Sequence, residues 1–126
     1  MSKTAIIGGT GVYDPSILSD IREVKQETPY GAITVTEGTY NGRTVLFMNR
    51  HGAGHSIPPH KINYRANIWG LKELGVDRVL ATAAVGSLNR DMAPGHFVFP
   101  DQYLEFTKAR ECTFSTAAKP ASSTRT

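Results

Sequence analysis

Apolar positions fall into short blocks along the chain, and the spacing within each block changes from one block to the next. The run from Thr4 to Ile7 stops at Gly8-Gly9, the pattern of a buried strand that delivers the chain into a glycine-rich turn. Gly31 to Tyr40 and Arg43 to Met48 are β-prone, and Asn41-Gly42 between them is a type I′ hairpin signal. The second of these strands runs directly into Asn49-Arg50-His51-Gly52. After Pro58-Pro59 the period changes. Ile62, Ala66, Trp69 and Leu74 fit one helical face, Ile68 and Leu71 widen it, and Gly75 stands where the helix should stop. "DRVLATAAV" then reads as a buried strand ending at Gly86-Ser87, and "HFVFPDQYLEF" as a further strand-like segment, with Pro100 limiting how it pairs.

Strands alternating with a helix predict an α/β sheet with at least one crossover and antiparallel hairpins alongside it. No internal repeat is present. Ser115 to Thr126, "STAAKPASSTRT", has no Ile, Leu, Val or aromatic residue and neither period, so residues 115–126 are expected to be a polar, disordered tail on a 1–114 unit. The abrupt change after Phe114 is what a truncated or frame-shifted coding end looks like, and equally what a genuine polar tail looks like.

Composition narrows the function classes. At 126 residues, 40% apolar and 20% charged, the chain fits one globular domain. Fourteen basic residues stand against 11 acidic. Removing Lys119 and Arg125 of the tail leaves 14 − 2 = 12 against 11, so the body carries about +1 and no concentrated basic face. Neither a nucleic-acid nor a membrane partner is expected. Cys112 is the single cysteine, which excludes an internal disulfide and makes a cytoplasmic location the expectation. The N-terminus lacks a secretory apolar region, and no run reaches membrane-spanning length.

Three stretches carry candidate chemistry. In "IIGGTGVYD", glycines after a strand let backbone N–H groups approach an anion, and Thr10 adds a hydroxyl donor. The stretch is not a Walker A loop, and Asp14 stands where the dinucleotide fingerprint needs its third glycine. A tight turn without a ligand is the alternative. The second stretch, "NRHGAGHSIPPHKINYRANIW", holds His51, His55 and His60 within ten positions. His51 and His55 have helical spacing, but glycines and prolines oppose a helix there, no His-Glu-x-x-His exists, and Cys112 alone cannot build a thiolate site. These features argue against a metal centre, and the missing Gly-x-Ser-x-Gly elbow argues against a nucleophilic serine. An anion pocket suits the residues better: Arg50 offers a planar fork of donors, and His51 adds another. An ordinary ion pair or strand cap remains the alternative. In the third stretch, "ATAAVGSLN", small residues at a strand's carboxyl end leave room for a ligand against backbone amides, or equally for close helix packing. Trp69 and Tyr64 read as packing residues, His96 as a turn residue and Asp14 as a cap.

Together the motifs are specific. "AIIGGTGVYDP", "TPYG", "RHGAGHSIPPHKINYRANIWGLKELGV" and "ATAAVGSLNRDMAPGHFVFPDQYLEFTKAR" occur in the order and rough spacing of the methylthioadenosine phosphorylases. The chain thus resembles the trimeric purine nucleoside phosphorylase family from residue 4 to about 114. The resemblance implies a purine nucleoside phosphorylase-like α/β fold, with a mixed central β-sheet flanked by helices and incomplete at the C-terminal side. It implies phosphorolysis of a purine nucleoside, foremost 5′-methylthioadenosine with phosphate to adenine and 5-methylthioribose 1-phosphate. Methylthioinosine or a 6-oxopurine nucleoside is the alternative substrate, and a non-catalytic phosphate- or nucleotide-binding fragment the alternative role. No metal and no organic cofactor are implied, phosphate being a co-substrate, and the active form of the family is usually a homotrimer. Matched residue by residue, Thr10, Arg50, His51, Ala83 and Ala84 fall on phosphate-binding positions, and Ala84, Val85 and Gly86 on the wall beside the nucleoside. Many relatives carry a hydroxyl or amide side chain where this chain has Ala83, so any contact there runs through backbone. His55 and His60 are expected to shape the loop and the helix entry. The group that protonates the departing purine is expected in the C-terminal half of the family's usual length, about half of which this chain spans.

Overall fold

The computed structural model describes residues 2–9, 12 and 14–115. Its elements are β1 (Lys3–Gly8), β2 (Ser19–Gln26), β3 (Ile33–Tyr40), β4 (Arg43–Asn49), α1 (Tyr64–Glu73) and β5 (Val76–Ala81). Short 3-10 turns occur at Pro15–Ile17, Ala53–His55 and Pro59–Lys61. The strands make one sheet in the order β2-β3-β4-β1-β5. β2, β3 and β4 are antiparallel, while β1 lies parallel between β4 and β5, so the sheet is mixed, as expected for the α/β class.

Local chemistry explains the joints. The β3–β4 hairpin closes on the Tyr40–Arg43 pair, with Asn41 at φ 46° and Gly42 at φ 74°. Both central residues are left-handed, as a type I′ turn requires. Asn63 starts α1: its Oδ1 accepts from the Ala66 N–H at 3.1 Å, while its Nδ2 donates to the Tyr30 carbonyl at 2.7 Å. Gly75, at φ 82°, ends the helix and donates to the Lys72 carbonyl.

Register decides which side chains meet. Ala5 and Ile7 of β1 share a face with Leu46 and Met48 of β4 and with Ile33 and Val35 of β3. α1 lays Ala66 and Leu71 onto that face, and together these eight residues form the buried core. Of the predicted helical face, Ile62 and Ala66 are buried and Leu74 packs against the core. Trp69 meets the rings of Tyr30 and Phe114 instead, and Ile68 is exposed.

Two expectations about the C-terminal side are corrected. "DRVLATAAV" is not a buried strand: β5 stops at Ala81, and Asp77 to Ala81 are exposed because β5 is the sheet's edge, with β1 its single neighbour. "HFVFPDQYLEF" forms no strand: it pairs with none of the five strands of the sheet, and a strand needs a ladder partner. From Ala83 to Ser115 the chain has neither helix nor strand, yet its far end returns to α1. There Phe114 packs on Tyr30 and Trp69, Glu111 pairs with Arg65 at 3.7 Å, and Arg110 lies over the Tyr64 ring. Residues 116–126, most of the expected tail, lie outside the described residues. Among those described, no helix is long and apolar enough to cross a membrane.

Candidate functional site

The three parallel strands end level with one another: Gly8 is opposite Asn49, and Ile7 opposite Ala81. Each chain then makes one more backbone bond as it leaves the sheet. The Arg50 N–H donates to the Gly8 carbonyl at 3.0 Å, and the Thr82 N–H donates to the Ile7 carbonyl at 3.0 Å. The carboxyl edge of parallel strands is where α/β sheets bind their ligands, and here it gathers the glycine turn, the Arg-His pair and the start of the small-residue segment.

Arg50 ties the three together. Its Nη1 donates to the Thr82 carbonyl at 3.1 Å, and its Nη2 lies 2.8 Å from where a β-carbon at Gly9 would be. Gly9 is therefore the residue that lets the guanidinium come so close to the turn. No carboxylate pairs with Arg50 among the described residues. A carbonyl partner orients the guanidinium without neutralising it, so a half-buried positive charge is held at the strand ends with donors to spare.

His51 is held from two sides. Its N–H donates to Asn49 Oδ1 at 3.2 Å, and its ring Nδ1 lies 3.1 Å from the Ile57 carbonyl. A carbonyl can only accept, so Nδ1 carries the proton, a tautomer assigned from this geometry. Nε2 is then an acceptor in the neutral ring and a donor only in the imidazolium. Towards an oxyanion, His51 would act as a cationic donor or would accept from a protonated oxygen. The loop that fixes the ring closes through Ile57 N–H to the His51 carbonyl at 2.9 Å and Gly52 N–H to the Asn49 carbonyl at 3.1 Å.

The other predicted residues are placed less uniformly. Ala83 and Ala84 follow Thr82 directly and are exposed at the same edge. Val85 is 82% exposed, and a β-carbon at Gly86 would meet nothing within 4 Å, so both stand in the open rather than in a packed wall. Thr10 and the side chain of His55 lie outside the described residues. Asp14 caps the turn that follows the glycines: its carboxylate accepts from the Ser16 hydroxyl and N–H, which pull its pKa below the ordinary carboxylate value. His96 sits in the predicted turn, its N–H bonded to the Ala93 carbonyl. Among the described residues no three His, Cys, Asp or Glu side chains gather as a metal site would need.

Sequence reasoning missed two residues. Asn49 orients the His51 backbone; its signal was an amide at the last position of β4. Thr82 holds Arg50, and its hydroxyl is closed off from solvent with no hydrogen-bond partner. Leaving a buried hydroxyl unpaired costs about 1–3 kcal/mol. Its signal was a lone polar side chain ending an apolar strand. A cleft of about 740 Å³ runs from Arg50 across β3 and β4, bordered by Thr34, Thr36, Asn49, Ile57 and Asn67. That volume lies within the range of small-molecule sites.

At the carboxyl edge of a mixed α/β sheet, then, a glycine turn and an arginine with no carboxylate partner among the described residues meet beside a cleft. Residues 3–124 match the phosphorylase superfamily, and the chain belongs to that family. It is 63% identical over 114 residues to the "Probable 6-oxopurine nucleoside phosphorylase" of Thermococcus kodakarensis, covering 90% of this chain and 43% of the relative. It is 56% identical over 112 residues to the S-methyl-5'-thioadenosine phosphorylase of Nitrosopumilus maritimus, covering 87% and 43%. Among solved structures, methylthioadenosine phosphorylase from Schistosoma mansoni in complex with adenine superposes with a TM-score of 0.80 at 44% identity, covering 90% of this chain and 42% of that one. The relatives thus carry both activities that the sequence motifs set side by side. The chain spans about 43% of the length of the two curated relatives.

Proposed function

We propose that this chain forms the phosphate-handling side of a purine nucleoside phosphorylase, with 5′-methylthioadenosine as the leading nucleoside. In the reaction a phosphate oxygen forms a bond to C1′ as the C1′–N9 bond breaks. The electron pair leaves with the purine, which takes up a proton, and a pentose 1-phosphate remains. Such a step depends on desolvating phosphate and holding it in line with a sugar that gathers positive charge. Arg50 offsets the phosphate charge, and His51 sets its orientation from the ring position fixed by Ile57. Thr10, by its place in the Gly-Gly-Thr-Gly motif, adds a hydroxyl, and the backbone of Ala83 and Ala84 completes the cradle. Ala84, Val85 and Gly86 face the nucleoside. No residue of this chain is assigned to purine protonation. The same proposal includes a homotrimeric assembly in the cytoplasm and a reaction that uses no metal or organic cofactor.

One observation carries this reading: the guanidinium of Arg50 is anchored on a carbonyl at the strand ends, with no carboxylate among the described residues to neutralise it. A second reading, a 6-oxopurine nucleoside as substrate, is favoured by the 63% identity to the Thermococcus kodakarensis protein. Titration calorimetry of inorganic phosphate into the chain tests the first claim. Arg50→Ala is expected to weaken binding at least about tenfold, since a hydrogen bond to a charged group is worth about 1.5–3 kcal/mol. Arg50→Lys should recover part of that loss, as a point charge without the fork. Equal phosphate affinity in Arg50→Ala and the unmodified chain would sink the proposal. Phosphate-dependent release of adenine from methylthioadenosine, set against hypoxanthine from inosine, decides between the two substrates.

A further inference from the structure

Thr82 is the residue at which β5 leaves the sheet, and every polar atom of its backbone is engaged. Its N–H is bonded to Ile7 of β1, and its carbonyl receives the Arg50 guanidinium. Its side chain is not engaged: Oγ1 is the one side-chain nitrogen or oxygen among the described residues that is buried without a hydrogen-bond partner. Native structures pair nearly all such groups, so an exception calls for an explanation. If Thr82 were present only for its branched shape at a strand end, valine would fill the same volume and leave no hydroxyl unpaired.

We propose that the Thr82 hydroxyl is held for the bound anion, donating a hydrogen bond to an oxygen of the phosphate that Arg50 captures. The proposal rests on the phosphate reading of this site and adds to it a residue that binds the anion and at the same time positions its arginine. The Thr82 carbonyl holds Nη1, so the residue that carries the unpaired hydroxyl is also the one that anchors the guanidinium at the end of β5. A hydroxyl can rotate to donate, and each phosphate oxygen is an acceptor. Solvent does not reach Oγ1. The contact therefore forms only with a local rearrangement at the end of β5.

Thr82→Val and Thr82→Ser separate this from a structural role. Both are compared with the unmodified chain and Arg50→Ala, by thermal melting with and without inorganic phosphate and by calorimetry with inorganic phosphate. Thr82→Val is expected to melt at or above the unmodified chain when phosphate is absent, yet to bind phosphate about tenfold more weakly, the loss of one hydrogen bond to a charged group. Thr82→Ser keeps the hydroxyl and is expected to bind within about threefold of the unmodified chain. Unchanged phosphate affinity in Thr82→Val, with Arg50→Ala still defective, overturns the role of Thr82 alone. A Thr82→Val chain that melts lower or fails to fold overturns it too, because the hydroxyl would then be structural. If the unmodified chain and Arg50→Ala both fail to bind phosphate, the phosphate reading falls, and this inference with it.

Discussion

Gly9 and Arg50 are far apart in sequence and in contact in space, and substituting the smaller tests the larger. An alanine β-carbon at position 9 would lie 2.8 Å from Arg50 Nη2 and 3.7 Å from Cζ. The atoms it meets are the far end of a flexible side chain, and Gly9 does not have the positive φ that would strain an alanine. Displacing the guanidinium is therefore easier than displacing backbone. Gly9→Ala is expected to change stability by no more than about 0.5–1 kcal/mol, while weakening phosphate binding about tenfold by moving Arg50 off its Thr82 anchor. A normal melting temperature with reduced affinity in calorimetry is the expected pair of results, and unchanged affinity would show that the guanidinium does not need this position. The sequence showed that glycines here permit close approach and that Arg50-His51 sits at a strand end. It could not show that what approaches the glycine is Arg50 itself. The tautomer of His51 was equally hidden, because it depends on Ile57, six residues on, folding back to offer its carbonyl.

At the scale of elements, legibility followed the strength of local chemistry. Asn41-Gly42 specified its hairpin because few dipeptides reach two successive left-handed residues, and Gly75 marked the end of α1 for a similar reason. β2 was not predicted: "SDIREVKQ" alternates too many charged residues on an exposed edge strand to signal a buried face. The helix face was predicted from periodicity, but its closest contact was not, because Gly70 carries no side chain to register in a hydrophobic pattern. A β-carbon there would lie 2.7 Å from Ile33 Cγ1, closer still to Cδ1, and 3.3 Å from Thr28 Cγ2. Gly70→Ala therefore sets two effects against each other. Helix propensity favours alanine by about 1 kcal/mol, whereas forcing a methyl into a packed interface costs about 1–3 kcal/mol. Ile33 is 5% exposed in the core and has little freedom to yield, so packing should win. Denaturant unfolding should show Gly70→Ala destabilised by up to about 2 kcal/mol, and a net gain would mean that α1 and β3 can separate without penalty.

Over the whole molecule, the core and the carboxyl edge of the sheet are formed, while the chain after Ala83 is spread over the outside. Phe97 is 91% exposed, Phe99 89% and Phe106 82%, and β5 presents an open edge. The sequence pattern read "HFVFPDQYLEF" as a strand because its residues prefer one, but a strand needs a neighbour, and pairing is a property of the sheet rather than of the segment. Phe114 shows the contrast, since it found a place against Tyr30 and Trp69. Apolar side chains exposed together drive association with other apolar surfaces, so the chain is expected to bind a hydrophobic dye and to self-associate as its concentration rises. Replacing Phe97, Phe99 and Phe106 together with serine should suppress both effects. Because these rings are so exposed, the triple variant should also melt within about 0.5 kcal/mol of the unmodified chain, the range of ordinary surface substitutions. Light scattering and dye fluorescence read the first outcome and thermal unfolding the second. A large drop in melting temperature would mean that the three rings are buried in solution, and that the segment after Ala83 packs against the sheet rather than lying along its surface.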